Sequence, residues 1–231
     1  MTRRIFWEDM YAREFDAAVV SLEGNKVVLD QTAFNPRGGG LVSDIGSMDG
    51  VRVTEAVKEG DEVVHVLESG LAKRQGEKVH GVLDWDRRYR IMRMHTAAHI
   101  LSAVVHGETG ALITGNQISP DESRVDLDLE AFDRGKLSYY VDKVNEAAGR
   151  ALDVKTYFME RDKALATPGF VKLAKAAPPA VEMLRIVQIG DVDTQADGGV
   201  HVKNTSEIGK VVGLRAENKG KSNKRLYFTV T

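Results

Sequence analysis

Arg90-Ile-Met-Arg-Met-His95-Thr-Ala-Ala-His99-Ile-Leu-Ser-Ala-Val-Val-His106 is an apolar run carrying two imidazoles four residues apart. Ile91, Met94, Ala98, Leu101 and Val105 recur at helical spacing, so the run predicts a helix with Asp84 or Asp86 as its cap and Gly107 as its end. His95 and His99 then share one face. Side chains four apart on a helix lie about 5–6 Å from each other, which lets two ring nitrogens converge on one metal ion. Two ligands do not complete a site, and an apolar helix also accommodates histidines that are merely hydrogen-bonded in a core. A third imidazole, His201, lies far along the chain in Asp193-Thr-Gln-Ala-Asp197-Gly-Gly-Val-His201-Val-Lys-Asn-Thr-Ser-Glu207-Ile-Gly209. Gly198 and Gly199 permit a tight approach of that loop, and Asp197 offers a carboxylate oxygen four residues before His201.

Toward the N-terminus the pattern changes. Residues 17–22, 26–30, 51–57, 62–67 and 78–83 read as short strands separated by turns, without a convincing helix between them, which predicts a small β-barrel. His65 and His80 alternate with valines there and are expected on a solvated or rim face. Within this region Thr32-Ala-Phe-Asn-Pro36-Arg-Gly38-Gly39-Gly40-Leu-Val-Ser-Asp44 stands out. Three glycines without Cβ atoms suit either a loop tip or a close approach of backbone to a partner. No Lys-Ser/Thr pair follows them, so a phosphate loop is excluded.

Beyond the key helix, residues 124–129 alternate as a half-buried strand, and Leu137, Tyr140, Val141, Val144 and Ala148 mark an amphipathic helix. Strands are expected at 154–159, 184–189, 210–215 and 224–229. Residues 160–177 are expected to be helical in pieces, interrupted by Pro168-Gly169 and ended by Pro178-Pro179. Helices and antiparallel-looking strands in blocks indicate an α+β fold: an N-terminal barrel over residues 1–86 and a two-layer α/β sandwich over 87–231.

Composition narrows the chemistry. The 231 residues suffice for two modest cores, and 42% hydrophobic with 29% charged residues is ordinary for a globular protein. No apolar run is long enough to span a bilayer and no signal peptide is evident, so a cytoplasmic location and no membrane partner are expected. Cysteine is absent, which removes disulfides and thiolate ligands together and leaves imidazole and carboxylate to hold any metal. A formal net charge of −2 argues against binding nucleic acid by bulk charge. Local clusters at Arg87, Arg88, Arg90 and Arg93, and at Lys219, Lys221, Lys224 and Arg225, nevertheless permit a phosphate-contacting surface.

The segments His95-Thr-Ala-Ala-His99 and Asp197-Gly-Gly-Val-His201-Val, with Thr205 and Glu207-Ile-Gly209 behind them, resemble the editing domain of alanyl-tRNA synthetases and the free-standing AlaX trans-editing proteins. The preceding Phe34-Asn-Pro-Arg-Gly38-Gly39-Gly40 resembles the medium-length AlaX type. The family motif has Cys and Thr where this chain has Asp197 and Val200. The resemblance implies one zinc ion per chain on His95, His99 and His201; ligand types alone admit iron(II) equally. Asp197 either binds the ion as a fourth ligand or braces an imidazole or a metal-bound water from behind, and it is a candidate catalytic group. The resemblance further assigns Thr114 to sensing the amino-acid side chain, where a hydroxyl can pair with that of serine, and Gly38, Gly39 and Gly40 to amino-acid selectivity.

Three histidines with an open fourth position make a catalytic rather than a structural type of centre. The implied activity is therefore deacylation of mischarged tRNA(Ala), chiefly Ser-tRNA(Ala) and also Gly-tRNA(Ala). The alternatives are a metal-stabilised RNA-binding module without turnover, and a zinc hydrolase acting on another small ester. Oligomeric state is not legible.

Overall fold

A computed structural model describes residues 1–129, 136–167, 170, 180–220 and 222–231. The chain divides into two compact units, Met1–Ile91 and Met92–Thr231. The division falls inside a helix, further along than the 86/87 boundary at which strand-like alternation stops.

The first unit contains β1 (Arg3–Arg4), α1 (Ile5–Glu8), β2 (Glu14–Glu23), β3 (Lys26–Leu29), β4 (Gln31–Thr32), β5 (Gly46–Met48), β6 (Val51–Glu59), β7 (Glu62–Leu67) and β8 (Lys78–Leu83). Six of these strands hydrogen-bond in a closed, antiparallel ring in the order β2-β3-β7-β6-β5-β8. Alternation fills it: β8 buries every second residue, and Phe15, Val27, Leu29, Phe34, Met48, Val53, Val63, Leu67, Val79 and Leu83 share one core.

His65 belongs inside that core, against the expectation of a rim position. Val63, His65 and Leu67 are the inward set of β7, all buried, so the parity is the opposite of that expected. His80 does lie at the surface, its Nδ1 2.9 Å from Asp16 Oδ1. A buried imidazole is tolerable only when both nitrogens are satisfied. His65 Nδ1–H donates to Val27 O at 3.0 Å, and Nε2 lies 2.8 Å from the Thr32 hydroxyl, which in turn accepts the Phe34 N–H. The Phe34 ring stands edge-on to the imidazole, centroids 5.6 Å apart.

The glycine stretch forms a tight turn. Gly38 and Leu41 exchange N–H···O bonds of 3.2 and 2.9 Å, with φ of +59° at Gly39 and +89° at Gly40. Two successive positive φ values define the hairpin turn that glycine permits without strain. Its base is held by charge. Asp44 accepts the Asn35 N–H at 2.6 Å and receives Arg88, a fully buried guanidinium whose remaining donors reach Met10 O at 3.1 Å and Ala33 O at 2.5 Å. Arg88 is therefore structural, which removes it from the proposed phosphate-contacting cluster.

Arg88 sits on α2 (Trp85–Thr109), the helix in which the unit boundary falls. Asp84 caps it, Oδ1 accepting the Arg87 N–H at 3.2 Å. The helix runs past Gly107, its expected end, and stops before Gly110, whose φ of +74° and N–H to His106 O at 2.7 Å make the C-terminal turn. From Met94 to Ser102 every residue is buried, so this stretch is enclosed on all sides rather than amphipathic.

The second unit continues with β9 (Ile113–Gln117), β10 (Ser123–Leu127), α3 (Lys136–Gly149), β11 (Val154–Glu160), α4 (Arg161–Ala166), β12 (Met183–Ile189), β13 (Asp193–Ala196), a 3₁₀ turn over Thr205–Ile208, β14 (Val211–Asn218) and β15 (Lys224–Val230). Where the sequence leads to one two-layer sandwich, there are two antiparallel sheets, ordered β14-β15-β10-β9 and β11-β12-β13. α3 covers the first, with Leu137 and Val141 against Gly213 of β14. α4 covers one face of the second through Ala164, against Leu184 and Ile186. The breaks expected at Pro168-Gly169 and Pro178-Pro179 lie outside the described residues, as does Lys221.

Three more residues of the two expected clusters are also engaged. Arg93 donates to Ile208 O and Thr231 O at 2.7 Å, Arg225 forms a two-pronged pair with Asp126 at 2.7 Å, and Lys224 Nζ donates to Gly220 O at 3.1 Å.

Burial pushes the His65 ring down to about 4 from its ordinary 6.5, with the bond to Val27 pulling the other way. The unfolded chain takes up a proton below pH 6.5 that the folded chain refuses until about pH 4. This group's share of stability is thus intact above pH 6.5 and is lost as pH falls toward 4. On the order of 2 kcal/mol should disappear between pH 7 and pH 5. His65→Gln is expected to be less stable at pH 7 but to show a shallower decline to pH 5, measured as urea midpoints. Parallel pH profiles for the two proteins would contradict a neutral, buried ring.

Candidate metal centre

His95 and His99 lie one turn apart on α2, and His201 comes from the loop after β13; all three are buried. Their ring centroids are 4.1–4.9 Å apart. With Asp197 they form a group whose ligand atoms all lie within 4.8 Å of one another. The two stretches separated by about a hundred residues are thereby brought together.

Each ring is oriented by its Nδ1. His95 Nδ1–H donates to Val200 O at 3.2 Å, and His99 Nδ1–H to Asp193 Oδ2 at 2.8 Å. His201 Nδ1 lies 3.1 Å from the Thr96 hydroxyl, whose own proton goes to Met92 O, so the ring is the donor. These bonds hold the three Nδ1 atoms outward and turn the three Nε2 atoms inward. They face the Asp197 carboxylate at 3.3 Å from His201, 3.6 Å from His95 and 3.8 Å from His99. Ligand atoms of a tetrahedral ion with bonds near 2.0–2.1 Å are about 3.3 Å apart, so the Asp197 contacts come within about 0.5 Å of that edge while the widest pair, up to 4.8 Å, has to draw in around one small divalent cation. Three nitrogens and one oxygen can hold such an ion.

The loop bearing Asp197 and His201 is braced independently. Asp197 Oδ1 accepts the Gly199 N–H at 2.6 Å, an Asx-type turn that the paired glycines leave unobstructed. Arg185 on β12, itself buried, donates to Asp197 O at 3.0 Å and Gly199 O at 2.9 Å. After His201 the chain is held by an Asn204–Glu207 capping box and by Thr205, whose hydroxyl donates to Ala148 O at 3.0 Å.

Electrostatics follow from the geometry. Burial pushes His95 down to about 4, against the pull of Asp197, and burial with the neighbouring His95 holds His201 well below 6.5. Burial opposes a charge on His99 as well, but Asp193 and Asp197 outweigh it and lift that ring to about 9. Burial favours a neutral Asp197, yet His95 and the hydrogen bonds of His201 and His99 hold its carboxyl well below the ordinary carboxylate range. Asp197 is thus an ionised acceptor and a poor proton carrier.

Thr114 stands on β9, its hydroxyl donating to Asn223 Oδ1 at 3.1 Å. The glycine turn belongs to the first unit. Three residues not singled out in the sequence complete the centre: Thr96, Asp193 and Arg185. Gln195 supports Asp193, its Nε2 donating to Oδ2 at 2.9 Å. Thr96 sits between the two helical histidines and Asp193 opens the histidine loop, but a lone Thr and a lone Asp carry no signal until their partners are known.

A family model described as the threonyl and alanyl tRNA synthetase second additional domain matches residues 184–227. The chain is 46% identical over 237 residues to the alanyl-tRNA editing protein AlaX-M of Saccharolobus solfataricus, covering 100% of this chain and 99% of that protein. A protein of the same name from Methanosarcina mazei is 42% identical, covering 100% and 97%. The alanine–tRNA ligase of Hyperthermus butylicus is 38% identical over 223 residues, which are 94% of this chain but 24% of the ligase.

Asp193→Asn is expected to keep the fold while weakening metal affinity about 10–100-fold, because it loosens the His99 ring without removing a ligand. Asp197→Ala should weaken it at least as much, and Asp197→Cys should restore tight binding of a thiolate-seeking ion. Titration with zinc against a competing chelator measures all three; unaltered affinity in Asp193→Asn would show that the carboxylate does not orient His99.

Proposed function

Since the chain belongs to the AlaX family of alanyl-tRNA editing proteins, we propose that it hydrolyses the ester of mischarged tRNA(Ala), Ser-tRNA(Ala) foremost and Gly-tRNA(Ala) second, in the cytoplasm. One zinc ion held by His95, His99 and His201, with Asp197 as a weak fourth ligand that water or substrate can displace, is the cofactor. The observation that carries this reading is the convergence of three Nε2 atoms and the Asp197 carboxylate in one group, in a chain that matches editing proteins over its whole length.

When bound, such a cation supplies Lewis acidity, polarising an ester carbonyl or holding the amino group of the substrate. The chain's own residues supply position. The Nδ1 bonds to Val200, Asp193 and Thr96 keep the rings from turning, and Arg185 holds the Asp197–Gly199 backbone in place. In the overall reaction water adds its oxygen to the ester carbonyl carbon, the carbon–oxygen bond to the ribose breaks, and the ribose oxygen takes up a proton. Asp197 remains ionised throughout and balances the positive charge of the centre. Its side chain keeps 22% exposure, whereas His201 has none. That open side favours a turnover site over a purely structural metal in an RNA-binding module, which would be closed all round.

Thr114 is assigned to the amino-acid side chain. Its hydroxyl proton is committed to Asn223, so its lone pairs remain to accept the serine hydroxyl, a bond alanine cannot make. A site that hydrogen-bonds a hydroxyl separates two substrates that an apolar activation pocket confuses. The Gly38–Gly40 turn is assigned to selectivity through its backbone, because its tip is exposed and has no side chains to offer.

The purified protein is expected to deacylate Ser-tRNA(Ala) and spare Ala-tRNA(Ala), with activity lost on chelation and regained with zinc. Equal hydrolysis of both esters would remove the editing reading. Gly39→Asn, which tolerates positive φ, should edit normally; Gly39→Val, strained by about 1–2 kcal/mol in that conformation, should lose discrimination while retaining metal. Normal discrimination by the Val variant would show that the turn only closes a loop.

A further inference from the structure

The sheet β11-β12-β13 has two unlike faces. On one, Tyr157, Met159, Leu184, Ile186 and Ala196 pack with Ala164 of α4 and with Phe170. Alternation sends the residues between them to the other face, where Phe158 pairs across the ladder with Arg185. Arg185 O accepts the Asp197 N–H at 3.0 Å, so Phe158, Arg185 and Asp197 lie in one row, Asp197 one residue past the end of β13. The row starts at the metal centre with the partly exposed Asp197 and passes the buried Arg185. It then opens: Phe158 is 51% exposed on the outer strand, and Met183, diagonal to it, is 42% exposed. An aromatic ring and a thioether beside a buried polar site form an apolar step where the surrounding chemistry is polar.

We propose that Phe158 is the stacking platform for the 3′-terminal adenine of the aminoacyl-tRNA, a subsite that rests on the hydrolase reading above. Two strand spacings separate the ring from Asp197, roughly 10 Å. That span is comparable to the one between a purine and an ester on its own ribose. The substrate's other groups do not suit this ring: serine and glycine are small and polar or lack a side chain, and phosphates are charged. Its one broad, flat, apolar surface near the ester is the terminal base, which single-stranded RNA readers hold by aromatic stacking. Stacking on Phe158 would set the distance from base to ester, so that the carbonyl arrives at the histidine cluster while the base stays outside it. The platform is indifferent to which amino acid is attached and contributes binding rather than discrimination.

The test uses the full chain and tRNA(Ala) carrying 2-aminopurine as its terminal base, a fluorophore dimmed by stacking. Wild type and Phe158→Trp should dim it on binding. Phe158→Leu, with circular dichroism and metal content unchanged, should not, and its KM for Ser-tRNA(Ala) should rise roughly 10-fold at constant kcat. Equal dimming by the Leu variant, no dimming by wild type, or a fall in kcat without a change in KM would overturn the platform. Dimming by wild type without deacylation would sink the hydrolase reading alone, and deacylation with equal dimming by all three proteins would sink the platform alone.

Discussion

An ionised carboxylate walled in by three imidazoles survives only if every ring turns the right edge toward it, and this requirement organises the second unit. Asp197 is held anionic by its neighbours, while His95 and His201 are kept neutral by burial. Asp193 and Asp197 lift His99 instead, so a divalent cation would displace its Nε2 proton, and all three rings are held from behind by Val200 O, Asp193 and Thr96. Each of those groups is in turn fixed. Thr96 is anchored on Met92 O within α2, Asp193 by Gln195, and the Asp197–Val200 loop by the Arg185 guanidinium. Four side chains can therefore converge without any one of them being held by the metal alone.

α2 contributes buried polar side chains to each unit. Its first turns carry Arg88, whose buried pairing with Asp44 closes the base of the glycine turn; its middle carries His95, Thr96 and His99. A guanidinium taken fully out of water is costly unless its donors are satisfied, and here Asp44, Met10 O and Ala33 O satisfy them. The same logic explains His65 in the barrel core, an imidazole whose two nitrogens are both engaged. Polar groups in this protein are buried where they specify a geometry: a turn, a barrel strand, a ring tautomer.

The arginine and lysine clusters carry a related lesson. Arg88, Arg93, Lys224 and Arg225 look in the sequence like surfaces for phosphate, yet each is committed to a carbonyl or carboxylate of this chain. With a net charge of −2 and these four cations so engaged, the two clusters keep less free charge for a phosphate backbone than their sequence suggests.

What the sequence determined by itself is local and periodic. The spacing of His95 and His99, the paired glycines beside Asp197, and alternation along β8 could be read because helix and strand periods put those residues on a known face. The glycine triplet read as either a loop tip or a close backbone approach, and the structure makes it a tight turn with positive φ at Gly39 and Gly40. Tertiary structure alone decided the rest. Which face of β7 is the inner one, and so where His65 goes, depends on how the sheet closes, and a one-residue change of parity reverses the answer. Thr96 and Asp193 meet their histidines across 105 and 94 residues, and Arg88 meets Asp44 across 44. Hydrogen bonds over such distances leave no periodic trace. A threonine, an aspartate or an arginine is ordinary in any helix or loop until the fold brings its one partner within 3 Å.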